Sequence, residues 1–224
     1  VSAAGTFNVD VTVNGCTDND AVTIIYNPLP VAALGPDQTL CEGETLNLNV
    51  AQPSATYLWQ DGSTGSSFMV TSAGTYTVDV TLNGCTMSDM INVAYNPLPV
   101  VALGPDQTLC DGEVLNLNVA QAGATYLWQD GSTSSNYTVS GPGTYSVYVT
   151  LNGCPASDAL NVSYNPLPLV DLGPHQTLCD GETLDLDVTQ AGASYLWQDG
   201  STSSNYTVTA AGNYSVNVLL NGCS

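Results

Sequence analysis

One set of motifs recurs at a fixed interval along the whole chain, and that interval constrains the architecture more than any other feature. Trp59, Trp128 and Trp197 are 69 residues apart, and so are Cys41, Cys110 and Cys179 and the series Cys16, Cys85, Cys154 and Cys223. A period of this size makes each copy one structural unit, stacked or strung with its neighbours. Each copy reads approximately L-G-P-D-Q-T-L-C-x-G-E-x-L-x-L-x-V, then Y-L-W-Q-D-G-S-T, G-x-Y-x-V-x-V and L-N-G-C, and closes on a short strand ending in Y-N-P-L-P. The expected domains are therefore the C-terminal part of one repeat with its linker (1–30), complete repeats at 31–99 and 100–168, and a repeat lacking its last strand at 169–224.

Within a copy the apolar period is two. Leu46, Leu48 and Val50 alternate with polar residues, as do Tyr76, Val78, Val80 and Leu82, while Tyr57 and Trp59 share a face of a third run. Alternation of this kind marks half-buried strands. Asp61-Gly62 and Asn83-Gly84 supply turn signals, and no segment of helical length and period interrupts them. About seven short strands per unit, with one Trp in the third, point to an all-β chain of tandem immunoglobulin-like β-sandwich repeats. Pro28 to Pro30, Pro97 to Pro99 and Pro166 to Pro168 fall between units and predict short, stiff connectors, so that the repeats form an extended rod. Each unit would add roughly 30–45 Å with its strands along the axis.

Charge removes whole classes of function. The chain has 20 Asp and Glu, no Lys or Arg, and one His, for a net charge of −20. Without cations it cannot neutralise phosphates, so nucleic acid and anionic membrane surfaces are excluded as partners. Lysine chemistry is impossible, and one histidine, His175, gives neither a triad nor a His-ligated zinc site. An enzyme is not expected; a polysaccharide hydrolase needs two facing carboxylates, and Asp130 with Asp111 is no better placed than any other pair. No cleavage site for trypsin-like proteases exists, which suits a long-lived extracellular protein. No signal peptide, membrane-spanning run or lipidation motif is read in the sequence.

The seven cysteines alternate at spacings of 25 and 44, with no C-x-x-C pair, which reads as a disulfide framework in an oxidising compartment. Pairing within units gives Cys41–Cys85, Cys110–Cys154 and Cys179–Cys223, with Cys16 bonded outside the window. The objection is that these points lie at opposite poles of a seven-strand sandwich; loss of one strand would bring them together. The alternative is a bond between neighbouring units, such as Cys41–Cys154.

Other residues carry two readings each. Tyr76, Tyr145 and Tyr214, each in a G-x-Y step, are expected as tyrosine corners rather than sugar-stacking rings. Trp59, Trp128 and Trp197 are expected in the core rather than on glycans. Asp20, Asp89 and Asp158 recur. Asp37, Glu42 and Glu44 recur as Asp106, Asp111 and Glu113, then as Asp180 and Glu182 with His175 in first place. Such carboxylates could hold calcium weakly at a junction, although a solvated acidic loop is the plainer expectation because no EF-hand pattern is present. His175 is expected to be a surface substitution. Asn136, Asn161 and Asn205 match the N-glycosylation pattern, and an accidental match is expected.

The combination L-C-x-G-E-x-L-x-L, Y-L-W-Q-D-G-S-T, G-T-Y-x-V-x-V and N-G-C-x-x-S-D resembles the immunoglobulin-like or PKD-like tandem repeats of giant cell-surface adhesins of Bacteroidota. That group includes SprB-like gliding-motility adhesins and other type IX secretion substrates. The resemblance spans essentially the whole chain and implies a non-catalytic, extracellular, cell-surface filament. Its partners would be neighbouring repeats, copies of itself in a fibre, and surface glycans or other extracellular ligands. Three functions follow as expectations: a structural stalk, a repeated glycan- or protein-binding module, or a strand-complemented fibre subunit.

Overall fold

The computed structural model describes residues 2–224, so Val1, the first residue of the 1–30 segment, lies outside it. Among the described residues every regular element is a strand. The chain divides into two compact units, one up to Leu98 and one from Pro99 onward.

The first unit opens with a two-stranded ribbon, β1 (Gly5–Val13) and β2 (Cys16–Ile24), exposed along its whole length except for the half-buried Ile24. A sandwich follows, made of β3 (Gln38–Cys41), β4 (Leu46–Asn49), β5 (Thr56–Trp59), β6 (Ser67–Val70), β7 (Gly74–Leu82) and β8 (Cys85–Asn96). One sheet has the order β3-β8-β7-β5 and the other pairs β4 with β6. All neighbours are antiparallel except β3 and β8, which run parallel with Cys41 opposite Asn96. Alternating side chains from both sheets meet in one core: Leu48 and Val70 from the small sheet against Trp59, Val78, Val80, Ile91 and Val93 from the large one. The period-two pattern thus places each strand's apolar face inward.

The second unit repeats this plan. Its first sandwich has β9 (Gln107–Cys110), β10 (Leu115–Asn118), β11 (Thr125–Trp128), β12 (Asn136–Val139), β13 (Gly143–Leu151) and β14 (Cys154–Asn165), with sheets β11-β13-β14-β9 and β10-β12. A third core follows on β15 (Leu184–Asp187), β16 (Ser194–Trp197), β17 (Asn205–Val208) and β18 (Val216–Leu219), in sheets β15-β17 and β16-β18. Residues 176–179, the counterpart of β3 and β9, form no strand there.

Each complete sandwich has six strands, where the sequence suggests about seven. The missing one is taken up by the D-G-S-T step. Asp61 Oδ1 accepts from Ser63 N at 2.9 Å and Gly62 N donates to Trp59 O at 2.9 Å, so the chain turns tightly and runs on into β6. The tyrosine two residues before Val78 marks the place of the second core cysteine of antibody domains. Here Val78 is fully buried and the cysteines have moved to the sheet margins.

Candidate functional site: the junction between repeats

Each L-N-G-C motif is a two-residue hairpin turn. Asn83 and Gly84 have φ of 50° and 80°, and Asn221 and Gly222 have 51° and 86°. Both central residues with positive φ define the type I′ turn that fits the twist of paired strands, which is why Asn-Gly recurs. The turn projects the cysteine that follows it.

In the second unit that turn meets the end of the preceding sandwich. Asn165, last residue of β14, lies opposite Cys110 in parallel register. Its side-chain Nδ2 donates to Asn221 O at 2.9 Å. The Cys223 sulfur stands 4.0 Å from Asn165 O and is bonded to Cys110, with Cα atoms 5.6 Å apart. One sandwich is therefore joined to the turn of the next by a hydrogen bond and a covalent bond. In the first unit the same geometry recurs between ribbon and sandwich: Asn27 Nδ2 donates to Asn83 O at 2.9 Å and the Cys85 sulfur stands 3.9 Å from Asn27 O. Cys41 and Cys154 are also oxidised, whereas Cys16, Cys85 and Cys179 are free thiols.

This corrects the expected pairing within units. Cys110 is bonded to Cys223 and not to Cys154, and Cys85 and Cys179 carry no bond. The reason is the parallel pairing. Cys110 lies opposite Asn165 while Cys154 begins the same 12-residue strand, so the two are about 36 Å apart at ~3.3 Å per residue. A disulfide needs Cα atoms within about 7 Å. Losing a strand did shorten the sandwich, but it left these two points at opposite ends of β14.

The recurring carboxylates act as backbone clamps. Asp37 accepts from Asn92 N at 2.9 Å and from its side chain at 3.2 Å, and Asp106 does the same with Asn161 at 2.8 and 3.3 Å. These hydrogen bonds hold both carboxyls below the usual range. Glu44 and Glu113 each accept the amide of the cysteine three residues earlier at 2.7 Å, and Glu182 accepts that of Cys179 at 2.8 Å. Asp89 and Asp158 take the amides of Leu34 and Leu103, each at 2.7 Å. The backbone amides of Glu42 and Asp111 donate to Asn96 O and Asn165 O at 2.9 Å. Among the described residues, no three His, Cys, Asp or Glu side chains gather as metal ligands do.

The aromatic residues form one stack per sandwich. Trp59 is 2% exposed and its ring lies 5.1 Å from Phe68, which lies 5.5 Å from Tyr76. Trp128, Tyr137 and Tyr145 repeat this at 4.8 and 5.6 Å, and Trp197, Tyr206 and Tyr214 at 4.9 and 5.5 Å. The indole nitrogens donate to Gly65, Ser134 and Ser203 carbonyls at 2.8 Å. The hydroxyls of Tyr76, Tyr145 and Tyr214 donate to carbonyls four residues upstream, also at 2.8 Å, tying down the loop before the strand. Trp59, Trp128 and Trp197 present no face to a sugar.

Two roles escape the sequence reading although both recur at the repeat interval. The first is the junction asparagine of Y-N-P described above. The second is Gln121 with its counterparts. Gln121 brackets Val100, accepting its amide at 3.1 Å and donating to its carbonyl at 2.7 Å, while Tyr126 Oη bonds the Gln121 backbone at 2.8 and 3.0 Å. Gln52 and Gln190 hold Val31 and Leu169 in the same way. Each linker is thereby pinned to the sandwich it enters. The shallow hollows beside these linkers, one lined by Val31, Ala33 and Gln52 and the other by Val100, Ala102 and Gln121, contain no carboxylate.

No protein-family profile matches the chain, and no curated protein is significantly similar to it. Among solved structures, a mutated variant of the three-domain titin segment I67–I69 covers 83% of this chain and 86% of its own, at 15% identity and a TM-score of 0.35. The Sidekick-1 immunoglobulin domains 1–5 cover 86% of this chain and 54% of theirs, at 16% identity and 0.28. The N-terminal eight immunoglobulin domains of Down Syndrome Cell Adhesion Molecule cover 96% and 41%, at 15% identity and 0.33. The strand order described above, two facing sheets closed by a parallel edge pair and a tyrosine corner, is that of tandem immunoglobulin-like sandwiches.

Proposed function

We propose that this chain is a load-bearing stretch of an extracellular adhesive filament: a non-catalytic stalk that holds a binding element away from a bacterial surface. The observation that carries this reading is the Cys110–Cys223 bond, whose cysteines are 113 positions apart and which joins one sandwich to the turn of the next. When the chain is pulled from outside those two positions, tension crosses the sulfur bond and the enclosed residues cannot be extended. The linker clamps of Gln121 and Asp158 serve the same purpose by denying slack to the segment entering the sandwich. Disulfides persist in oxidising surroundings, which supports an extracellular site. Attachment to the surface of a gliding bacterium rests on the sequence resemblance.

Single-molecule stretching tests it. At ~3.5 Å per residue the enclosed segment is worth about 400 Å of contour, which should be missing from oxidised chains and restored by reducing agent. Equal contour in both states would overturn the stalk reading. The glycan-binding reading gains no support from the recurring aromatics, since Trp59, Trp128 and Trp197 are each 2% exposed.

A further inference from the structure

We propose that the outward face of the four-stranded sheet in the second sandwich, centred on Tyr148, binds a neutral polysaccharide. This adds a binding surface to the stalk and stands on other residues than those that carry load. Tyr148 lies on β13 between Val147 and Val149, both fully buried, and is itself 59% exposed. The register sets Leu127 of β11 on one side of it and Ser157 of β14 on the other. Leu127 is 51% exposed. Ser146 and Thr150 flank Tyr148 along its own strand and share its face.

The repeats show that the fold does not require a ring at this place. At the repeat interval Val147 and Val149 correspond to Val78 and Val80, and Leu127 to Leu58 and Leu196, but Tyr148 corresponds to Asp79 and Asn217. In the first sandwich the polar groups here satisfy one another. Ser88 Oγ donates to Asp79 Oδ1 at 2.6 Å, and the hydroxyls of Thr81 and Thr86 bond each other at 2.8 Å. In the second sandwich Tyr148 replaces the carboxylate and Pro155 stands where the first has Thr86, so Ser157 and Thr150 lack those partners. Among the described residues, the hydroxyls of Tyr148, Thr150 and Ser157 bond no other group of the chain. Two changes of residue thus turn a self-satisfied acidic patch into an exposed ring bordered by open donors and acceptors.

Charge decides the occupant. The outward residues of β11, β13 and β14 include no carboxylate, since Asp158 faces inward and takes the amide of Leu103 at 2.7 Å. With a net charge of −20 and no Lys or Arg, the chain repels anionic ligands and offers them no partner. An apolar partner would meet single hydrophobic side chains set among hydroxyls rather than a continuous patch. A neutral sugar chain matches the face on both counts: its ring C–H groups lie on Tyr148 and Leu127, and its hydroxyls exchange hydrogen bonds with Ser146, Thr150 and Ser157. Three strands at ~4.8 Å spacing give a floor about 10 Å wide, room for a short run of sugar units.

The test is affinity electrophoresis of the full chain in non-denaturing gels cast with dextran, mannan, galactan or hydroxyethyl cellulose, with alginate as the anionic control. At least one neutral polysaccharide should retard the chain, and alginate should not. Tyr148→Asp and Tyr148→Asn, which bring in the side chains of the other two repeats, should weaken that retardation about tenfold or more. Both should leave the thermal unfolding midpoint where it is, and Tyr148→Phe should keep most of the binding. Free migration in every neutral gel, retardation that survives Tyr148→Asn, or equal retardation by alginate would overturn the proposal. So would concentration-dependent sedimentation of the chain alone that Tyr148→Asn removes, because the face would then be a contact between copies. The stalk reading is judged separately, by the contour length released on reducing the bond between Cys110 and Cys223.

Discussion

Single side chains in this protein act mostly on backbone. Asp106 illustrates the point, since both its oxygens are spent on Asn161 and its carboxyl is held below the usual range by those bonds. A carboxyl with a lower pKa in the folded state than in the unfolded state, where it is about 3.9, stabilises above that value and ceases to do so as pH falls through the folded pKa. Asp106→Asn should therefore lower stability at pH 7, and the gap from the parent chain should narrow as pH falls below the unfolded value of about 3.9, as read by denaturant unfolding across that range. The aromatic stack gives a sharper contrast. Trp128→Ala should cost about 3–5 kcal/mol, because it empties a core position, whereas Tyr148→Ala, at a 59% exposed site, should change stability by less than about 0.5 kcal/mol. Comparable losses at the two positions would mean that Trp128 is not the core residue its burial indicates.

At the scale of elements, strands and turns were legible from alternation and from Asn-Gly, because both signals are local. Leu46, Leu48 and Val50 point where their period requires, as do Tyr76, Val78 and Val80. What escaped was pairing at a distance. The parallel contact of Cys110 with Asn165 separates two cysteines of one repeat by the length of β14, and nothing in the spacing of 44 records that. The junction asparagine and Gln121 escaped for a related reason: an uncharged amide repeated in each copy looks like surface until its partner across the fold is known. The Asn-Gly turn gives a prediction of its own. Gly222 has φ of 86°, so Gly222→Val should cost roughly 1–2 kcal/mol of left-handed strain and misdirect the following cysteine. Peptide mapping should then recover less of the 110–223 bond than in the parent chain.

For the molecule as a whole, charge and sulfur set the conditions under which it holds. With a net charge of −20 and no Lys or Arg, carboxylates repel one another with almost no cationic side chain to offset them. Raising salt from about 10 mM to 150 mM shortens the screening length from ~30 to ~8 Å, so stability to denaturant should rise with salt. A flat or falling dependence would show that the carboxylates are too far apart to interact. The cross-link adds a second global term: closing a loop between cysteines 113 positions apart stabilises by about 4–5 kcal/mol in the chain-entropy account, so reducing agent should lower the unfolding midpoint.

Because Cys110, at the end of β9, pairs with the far end of the strand that Cys154 begins, a repeat excised by itself would hold two thiols that cannot reach each other. Its folding would be indifferent to oxidation. Sulfur here thus rewards neighbours rather than individuals: the bond of Cys110 can close only when the following copy has docked its turn and brought Cys223 alongside.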